Sequence, residues 1–207
     1  MKNSFSDLSS GGEYTPSTCS NPDQVAIIVP YRNRTENLKV FIQYMHPFLM
    51  RQNIHYKIYV INQGDDKLFN RAMLFNVGFK EALKDFAWPC FVFSDVDHLP
   101  EDDRNLYKCE NVPKHVGVST GAYELYYEGF FGGVFAIKRE QFQDVNGASN
   151  QFWGWGGEDD DIRQRIQDSG LSFIRTRIHP DIGGYTTTNH WDPIKNEEYS
   201  TDRWVFG

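Results

Sequence analysis

The sequence predicts a single α/β domain built on a mixed, mostly parallel central β-sheet. Buried strands alternate with amphipathic helices, polar segments follow the strands, and 207 residues, 40% of them hydrophobic, suffice for one sizeable core. This alternation favours parallel strands joined by right-handed crossovers, as in a Rossmann-like domain. Because open α/β sheets bind ligands beyond the carboxyl ends of their strands, the polar segments indicate a ligand crevice.

The first strand is predicted at residues 25–29, where five apolar residues stop at Pro30, the pattern of a strand buried on both faces. Thr35 then caps a predicted helix. Apolar residues recur along this helix at helical spacing, namely Leu38, Phe41, Ile42, Met45 and Leu49. This strand and this helix begin the folded part of the chain.

The following segments continue the alternation of strand and helix. A strand is predicted at residues 56–61, a helix at 69–84, and a third strand at 90–94 that runs directly into Asp95. The later elements are predicted as strands at 116–120, 133–137 and 172–178 and a helix at 158–168.

The composition limits the possible partners and the domain boundaries. A net charge of −7 without a cluster of Lys and Arg argues against a nucleic-acid partner. No apolar run approaches the ~20 residues that span a bilayer, so we expect no membrane contact from this chain. Residues 1–24, rich in Ser, Gly, Pro and Asn, are predicted to be a disordered lead-in or stem remnant before one domain at 25–207.

Asp95-Val96-Asp97 is a candidate metal-binding motif directly after the third strand. Side chains alternate along an extended chain, so the carboxylates of Asp95 and Asp97 face the same way. Two such oxygens suit Mg²⁺ or Mn²⁺, which can in turn hold a diphosphate. A solvated acidic turn is the alternative, and the position after a buried strand favours the metal site.

A second motif, from Phe152 to Asp161, joins tryptophans, glycines and carboxylates. Indole rings can stack on the apolar face of a sugar, and the glycines free the backbone around them. Four carboxylates follow at a predicted helix start, where the helix dipole alone also favours negative charge. Beside a sugar-stacking surface these carboxylates can orient hydroxyl groups, and one can act as a general base.

Three arginines and one histidine complete the set of candidate residues. Arg32, Arg34 and Arg71 are candidate donors to a diphosphate or uridine, and His190 is a candidate metal ligand. For each of them an ordinary surface or structural position is the alternative. The segments after the first and third strands are predicted to converge on one crevice.

The order of these segments resembles the β-1,4-galactosyltransferase family of inverting, Mn²⁺-dependent enzymes with the GT-A nucleotide-sugar-binding fold. The resemblance rests on five ordered blocks, at residues 25–34, 69–72, 91–97, 131–134 and 153–161. It implies a metal-dependent hexosyltransferase that uses a UDP-sugar donor, a glycan acceptor, and Mn²⁺ or alternatively Mg²⁺.

On the donor side, the resemblance implies that Asp97 and His190 bind the metal. It also implies donor contacts from Pro30, Arg32, Arg34, Phe69, Arg71, Asp95, Val96, Gly133 and Trp155. Thr187 stands three residues before His190, where many members have a methionine ligand, so the third metal ligand stays open.

On the acceptor side, the resemblance implies that Asp159 is the catalytic base. Acceptor contacts are implied for Phe130, Trp155, Gly156, Glu158, Asp159 and Asp160. Phe130 replaces a tyrosine that is associated with a preference for galactose over N-acetylgalactosamine, so both donor sugars stay open.

The resemblance further implies a disulfide between Cys90 and Cys109 and a secretory, Golgi-lumenal origin. Cys19 matches a family cysteine whose usual partner lies upstream. The chain also stops at Gly207, earlier than typical members. The absent partner of Cys19 indicates a chain trimmed of its anchor and stem, or a divergent relative without them, whereas the early end predicts that terminal strands are missing or replaced.

The sequence thus predicts transfer of galactose from UDP-galactose, in β-1,4 linkage, to a terminal N-acetylglucosamine or a related acceptor. A β-1,4-N-acetylgalactosaminyltransferase is the alternative that Phe130 motivates. A second alternative is an inactive sugar-binding homologue, motivated by Thr187 and the early C-terminus.

Overall fold

A computed structural model of the chain describes residues 6–117, 119–120, 125, 127–176 and 182–188. His190, a predicted metal ligand, lies outside these ranges. Within them, ten strands and four helices form two β-sheets with helices packed against them. None of these helices is long and apolar enough to cross a bilayer.

The strands are β1 (Glu13–Tyr14), β2 (Gln24–Tyr31), β3 (His55–Asn62), β4 (Cys90–Ser94), β5 (His98–Pro100), β6 (Lys114–His115), β7 (Ser119–Thr120), β8 (Val134–Lys138), β9 (Ile174–Arg175) and β10 (Gly184–Thr187). The helices are α1 (Thr35–Arg51), α2 (Arg71–Asp85), α3 (Arg139–Asp144) and α4 (Glu158–Asp168). The predicted alternation from β2 to β4 is confirmed, with each element within two residues of its predicted limits.

The larger sheet is mixed and has the strand order β1-β3-β2-β4-β8-β6-β9. Its centre, β3-β2-β4, is parallel, whereas β8 runs antiparallel to both β4 and β6. The carboxyl ends of β2 and β4 therefore meet at one edge of the sheet. The polar segments that follow Tyr31 and Ser94 lie together at that edge.

Strand β2 shows why both faces of the sheet are covered. Its side chains alternate between the two faces, as in any extended strand. Val25, Ile27 and Val29 pack in the core under α1, whereas Ala26 and Ile28 pack in the core under α2. All five are completely buried, which explains the uninterrupted apolar run in the sequence.

Two later strands are shorter than the sequence predicts. The backbone N–H groups of Val116 and Gly117 both donate to the carbonyl of Val134, each at 2.9 Å, so the chain leaves the ladder there. β6 therefore ends at His115, before the strand predicted at 116–120 begins. Within that predicted strand only β7 is regular, and β7 belongs to the second sheet. In the predicted strand at 172–178 only β9 is regular, and residues 177–181 lie outside the described ranges.

Part of the predicted lead-in packs on the edge of the large sheet. β1 pairs antiparallel with β3, and the ring of Tyr14 lies 5.7 Å from that of Tyr56. His55 Nε2 lies 2.8 Å from the Glu13 carboxylate. A two-residue edge strand is too short to show a hydrophobic periodicity, so the sequence pattern predicts disorder for this segment. Its order comes from the tertiary contacts with β3.

The segment after β4 is fixed from two sides. A disulfide joins Cys90 at the start of β4 to Cys109, as the resemblance implies. The second sheet, β5-β10-β7, pairs β10 antiparallel with β5 and sets Thr187 opposite His98. The backbone N–H of Thr188 also donates to the carbonyl of Asp97 at 3.0 Å. These contacts hold the Asp-Val-Asp motif at the sheet edge.

Candidate active site

The turn after β2 carries an arginine to the Asp-Val-Asp motif. Arg34 Nη1 donates to Asp97 Oδ2 at 2.6 Å, and the Asp97 side chain is almost completely buried. The other predicted arginine of this turn, Arg32, donates to the Lys67 carbonyl and lies over the Phe69 ring at 5.4 Å. Both arginines thus reach the crevice, and they line two different parts of it.

Helix α2 presents Arg71 at its first residue. Asn70 caps the helix, because its side-chain oxygen accepts from the backbone N–H of Met73 at 2.9 Å. The α2 residues that face the sheet hold the helix against β2 and β3, and this places the Arg71 guanidinium at the carboxyl ends of the strands. Arg71 is itself buried.

Arg71 bridges the two predicted acidic motifs. Its Nε donates to Asp95 Oδ1 at 2.5 Å, its Nη1 donates to Asp159 Oδ1 at 2.6 Å, and Glu158 Oε1 lies 3.4 Å from the same nitrogen. Burial lowers the pKa of Arg71, but the charges of Asp159, Asp95 and Glu158 outweigh it and raise the pKa above its usual range. Arg71 is therefore a permanent cation among three carboxylates.

Helix α4 begins at the acidic run. Gly157 is its N-cap with φ 90°, a left-handed conformation that favours glycine, and Glu158 to Asp161 form the first turn. Burial and the neighbouring Asp159 raise the pKa of Glu158 to about 7, against the opposing effect of Arg71. Glu158 Oε2 is buried and has no hydrogen-bond partner in the part of the chain that the structure describes.

Asp159 lies against the glycine pair that precedes β8. A Cβ on Gly132 would overlap the Asp159 carboxylate and the Phe130 ring. The Gly132 carbonyl is held from below by His115 Nε2 at 2.9 Å, and burial lowers the pKa of His115 to about 4. His115 is therefore neutral, and its hydrogen bond fixes the backbone of Gly132, against which the Asp159 carboxylate packs.

Gly132→Ala is expected to lower the rate of the sugar transfer that the resemblance implies by about 100-fold, because a displacement of catalytic groups by ~1 Å has an effect of that order. Overpacking is also expected to cost about 1–3 kcal/mol of unfolding free energy. Turnover assays and urea unfolding measure the two effects.

Gly64→Ala is the matched control, since a Cβ there meets no atom within 4 Å. It is expected to change stability by less than about 0.5 kcal/mol. Wild-type turnover in Gly132→Ala would contradict the placement of Asp159 on this glycine.

The tryptophan–glycine segment forms an open wall beside the acidic run. Trp155 is 45% exposed, so part of its side chain is accessible to solvent. The Trp153 ring lies 5.4 Å from Lys67 Nζ, and the Gly154 N–H donates to the Phe69 carbonyl at 2.8 Å. Gly156 has φ 108°, which lets the chain turn from this wall into α4.

The remaining predicted acceptor residues, Asp160 and Phe130, both contact Tyr127. Tyr127 Oη donates to Asp160 Oδ1 at 2.9 Å, and burial raises the pKa of Asp160. The Phe130 ring makes edge contacts with Tyr127 and with His115. Tyr127 and His115 were not predicted as site residues, because no spacing or motif marks either of them.

The Asp-Val-Asp motif has a histidine that the sequence analysis missed. Asp95, Asp97 and His98 each offer one ligand atom, and these atoms lie within 4.8 Å of one another. Burial lowers the pKa of His98, while a hydrogen bond to Asp97 and the charge of Asp95 outweigh it and raise the pKa. The position of His98 directly after Asp97 is the signal that could have identified it.

The structure brings most of the other predicted donor residues to the same edge. Pro30 is buried near the end of β2, and Val96 is buried between the two aspartates. The Gly133 carbonyl accepts from the Asp95 N–H at 3.2 Å and from Arg71 Nη2 at 3.3 Å. Thr187 is exposed on β10, whereas His190 lies outside the described residues.

Comparison with protein families accounts for this arrangement. Residues 1–110 match the N-terminal region of glycosyl transferase group 7, and residues 113–191 match the family described as the N-terminal domain of galactosyltransferase. Solved structures of Drosophila β-1,4-galactosyltransferase 7 superimpose on the chain. A mutant in complex with manganese, UDP-Gal and xylobiose has a TM-score of 0.75 at 36% identity, covering 81% of this chain and 71% of that one.

The mixed sheet, with the Asp-Val-Asp motif at the carboxyl end of a parallel strand and a second acidic run at the start of α4, defines a glycosyltransferase domain of the GT-A fold. Human β-1,4-galactosyltransferase 4 is 51% identical over 190 residues, which are 91% of this chain and 55% of that protein. The chain belongs to the β-1,4-galactosyltransferase family.

Bovine β-1,4-galactosyltransferase 1 is similarly related, with 50% identity over 189 residues, 90% of this chain and 46% of that protein. The chain thus spans about half the length of the curated relatives it matches.

Proposed function

We propose that the chain transfers galactose from UDP-galactose, in β-1,4 linkage and with inversion, to a terminal N-acetylglucosamine. The observation that carries the proposal is the Arg71 bridge, in which one guanidinium contacts both Asp95 and Asp159. This bridge sets the predicted donor carboxylate and the predicted base on opposite sides of one cation. Family membership supports the reaction type.

On the donor side, Arg32 and Arg34 are proposed to bind the UDP portion. Guanidinium groups form paired hydrogen bonds with phosphate oxygens, and both side chains are partly exposed at the sheet edge. Phe69 supports Arg32 through the ring contact described above. Pro30, Val96 and Gly133 are proposed to supply the floor of the nucleotide site.

The residues at the end of β4 fit a divalent cation. Asp95 and Asp97 offer carboxylate oxygens and His98 offers a ring nitrogen, a donor set that suits Mn²⁺. His190 is a further proposed ligand, from outside the described residues. When bound, Mn²⁺ neutralises the charge that develops on the leaving diphosphate.

On the acceptor side, Asp159 is proposed to be the general base. Its side chain remains 23% exposed although Arg71 holds one of its oxygens, so the carboxylate can reach a ligand. Asp159 takes the proton of the acceptor 4-hydroxyl as the oxygen attacks the anomeric carbon in line. The bond from that carbon to the diphosphate oxygen breaks, UDP leaves with the electron pair, and inversion follows. Trp155, with Gly156 beside it, stacks on the acceptor ring, while Glu158 and Asp160 hold its hydroxyl groups.

An oxidising compartment, the Golgi lumen, is the proposed site of this reaction. The disulfide between Cys90 and Cys109 supports the proposal, because such bonds persist in secretory compartments and are rare in the cytosol.

A donor comparison tests the function. UDP-galactose and UDP-N-acetylgalactosamine are each supplied with an N-acetylglucosaminide acceptor, with and without Mn²⁺, and UDP release and the product linkage are measured. We expect Mn²⁺-dependent galactose transfer, which a chelator abolishes. UDP release with neither donor, combined with sugar binding in calorimetry, would instead identify an inactive sugar-binding homologue.

N-acetylgalactosamine transfer is the second candidate function, favoured by Phe130. The Phe130 ring is partly exposed beside Gly132 and Asp159 and carries no hydroxyl that could contact a donor substituent. Faster transfer from UDP-N-acetylgalactosamine than from UDP-galactose in the same assay would establish this alternative.

A further inference from the structure

We infer that Arg175 is a positioning residue for the acceptor site, because it fixes the turn that presents Tyr127 and Phe130 to the acceptor carboxylates. The inference rests on the proposed function and adds to it a residue outside the acceptor contacts named above. No motif or spacing in the sequence marks Arg175, which lies on β9 at the edge of the large sheet.

One nitrogen of Arg175 binds two carbonyls of this turn. Arg175 Nη2 donates to the Glu128 carbonyl at 2.7 Å and to the Phe130 carbonyl at 3.0 Å. The backbone N–H of Phe130 donates to the Tyr127 carbonyl at 3.0 Å, which closes the turn. Both hydrogens of Nη2 are therefore used to hold one short segment of the chain, residues 127–130.

The neighbouring strand extends this support toward β8. His115 on β6 is the register partner of Arg175 on β9, and the side chains of paired residues project to the same face of a sheet. His115 Nε2 donates to the Gly132 carbonyl at 2.9 Å. The two residues together therefore hold the carbonyls at positions 128, 130 and 132, and they fix the segment that leads into β8.

The turn contacts both carboxylates that are proposed to face the acceptor. Tyr127 Oη donates to Asp160 Oδ1 at 2.9 Å. The Phe130 ring lies beside Gly132, at the place where a Cβ would also overlap the Asp159 carboxylate. A shift of the turn would therefore displace the groups that surround the proposed base. A displacement of only ~1 Å can change catalysis by about 100-fold.

The surroundings of Arg175 have a cost that its position in the site explains. Burial lowers the pKa of Arg175, the nearby charge of Arg163 lowers it further, and the opposing charge of Glu128 does not outweigh them. The guanidinium carbon lies 5.0 Å from the centre of the Phe173 ring, and Nε has no hydrogen-bond partner among the described residues. A partly buried cation beside a second cation is placed for the contacts that it makes, here the two carbonyls of the turn.

The residues proposed to bind UDP lie on other elements. Arg32 and Arg34 follow β2 and Asp97 follows β4, whereas β9 stands three strands away from β4 in the order of the large sheet. A change at Arg175 is therefore expected to affect the acceptor and to leave UDP binding unchanged.

Steady-state kinetics of Arg175→Met test the inference. The kcat/KM for an N-acetylglucosaminide acceptor is expected to fall at least ~10-fold, mainly through a higher KM, because the turn is no longer held in place. UDP affinity, measured by calorimetry with Mn²⁺, is expected to stay within about twofold of the parent chain. Arg175→Lys keeps the charge and can reach one carbonyl, so it is expected to recover part of the loss.

Arg165→Met is the matched control. Arg165 pairs with Asp161 at 2.6 Å on the outer side of α4, away from the turn. The acceptor kcat/KM and the UDP affinity of this variant are both expected to stay within about twofold of the parent values. Thermal unfolding checks that all three variants fold.

Hydrogen exchange, measured by mass spectrometry without donor or acceptor, provides a second readout. Peptides that cover residues 127–132 are expected to exchange at least ~10-fold faster in Arg175→Met, because hydrogen bonds from a charged group no longer oppose local opening. Peptides that cover β2 are expected to exchange as in the parent chain.

Unchanged exchange of the turn, or an unchanged acceptor KM, in folded Arg175→Met would overturn the inference and leave the proposed function intact. If Arg175→Met does not fold, the same measurements on Arg175→Lys decide. If the parent chain transfers no sugar, the proposed function fails. The affinity for N-acetylglucosamine in calorimetry then replaces KM in the comparison, and an unchanged affinity in Arg175→Met would refute the inference.

Discussion

Asp159→Asn is expected to lower the turnover of galactose transfer by about 10²–10⁴-fold, the usual contribution of a general base. The amide keeps the shape of the carboxylate, and its oxygen still accepts from Arg71 Nη1, so the local structure is retained. UDP and Mn²⁺ affinities are therefore expected to stay within about twofold of the wild-type values, within the scatter of such measurements. Steady-state kinetics and calorimetry measure these quantities.

Asp161→Asn is the matched control within the same acidic run. Asp161 pairs with Arg165 on the outer side of α4, at 2.6 Å, and has no contact with Arg71 among the described residues. Loss of this pair is expected to lower the free energy of unfolding by about 0.3–0.5 kcal/mol and to leave the turnover unchanged. Retained turnover in Asp159→Asn would remove the assignment of Asp159 as the base.

Arg71→Met is expected to lower the free energy of unfolding by about 3–5 kcal/mol, because it leaves Asp95, Glu158 and Asp159 clustered without their cation. Transfer activity is expected to be lost as well, since the bridge between the two sides of the site is removed. Arg71→Lys keeps the charge but lacks the planar fork, so it is expected to recover part of the stability and little activity.

Arg51→Met provides the comparison for an exposed ion pair. Arg51 pairs with Asp103 at 2.7 Å, and both side chains are about half exposed. Its loss is expected to cost no more than about 1 kcal/mol. Urea unfolding of the three variants measures the difference, and equal costs for Arg71→Met and Arg51→Met would contradict the role given to the buried cluster.

Local pattern was sufficient to predict the elements from β2 to β4. The apolar run of β2 and the helical spacing in α1 each report which side chains face the core, and burial confirms them. The convergence of Arg34 with Asp97 followed from the rule that parallel strands end at one edge.

Features set by distant contacts could not be predicted in this way. Arg71 contacts Asp95, 24 positions later in the chain, and Asp159, 88 positions later. No local sequence pattern encodes contacts over such separations. The contact of His98 with Asp97 was not predicted, and it depends on the space that Gly133 leaves open for the His98 ring. β1 pairs with β3, which is distant in the sequence.

The disulfide between Cys90 and Cys109 closes a loop that contains Asp95, Asp97 and His98. A cross-link over a loop of this size removes about 3 kcal/mol of chain entropy from the unfolded state, according to the loop-entropy model. The cross-link therefore favours the folded form of the segment that carries these residues, and reduction of the disulfide is expected to lower the free energy of unfolding by about the same amount.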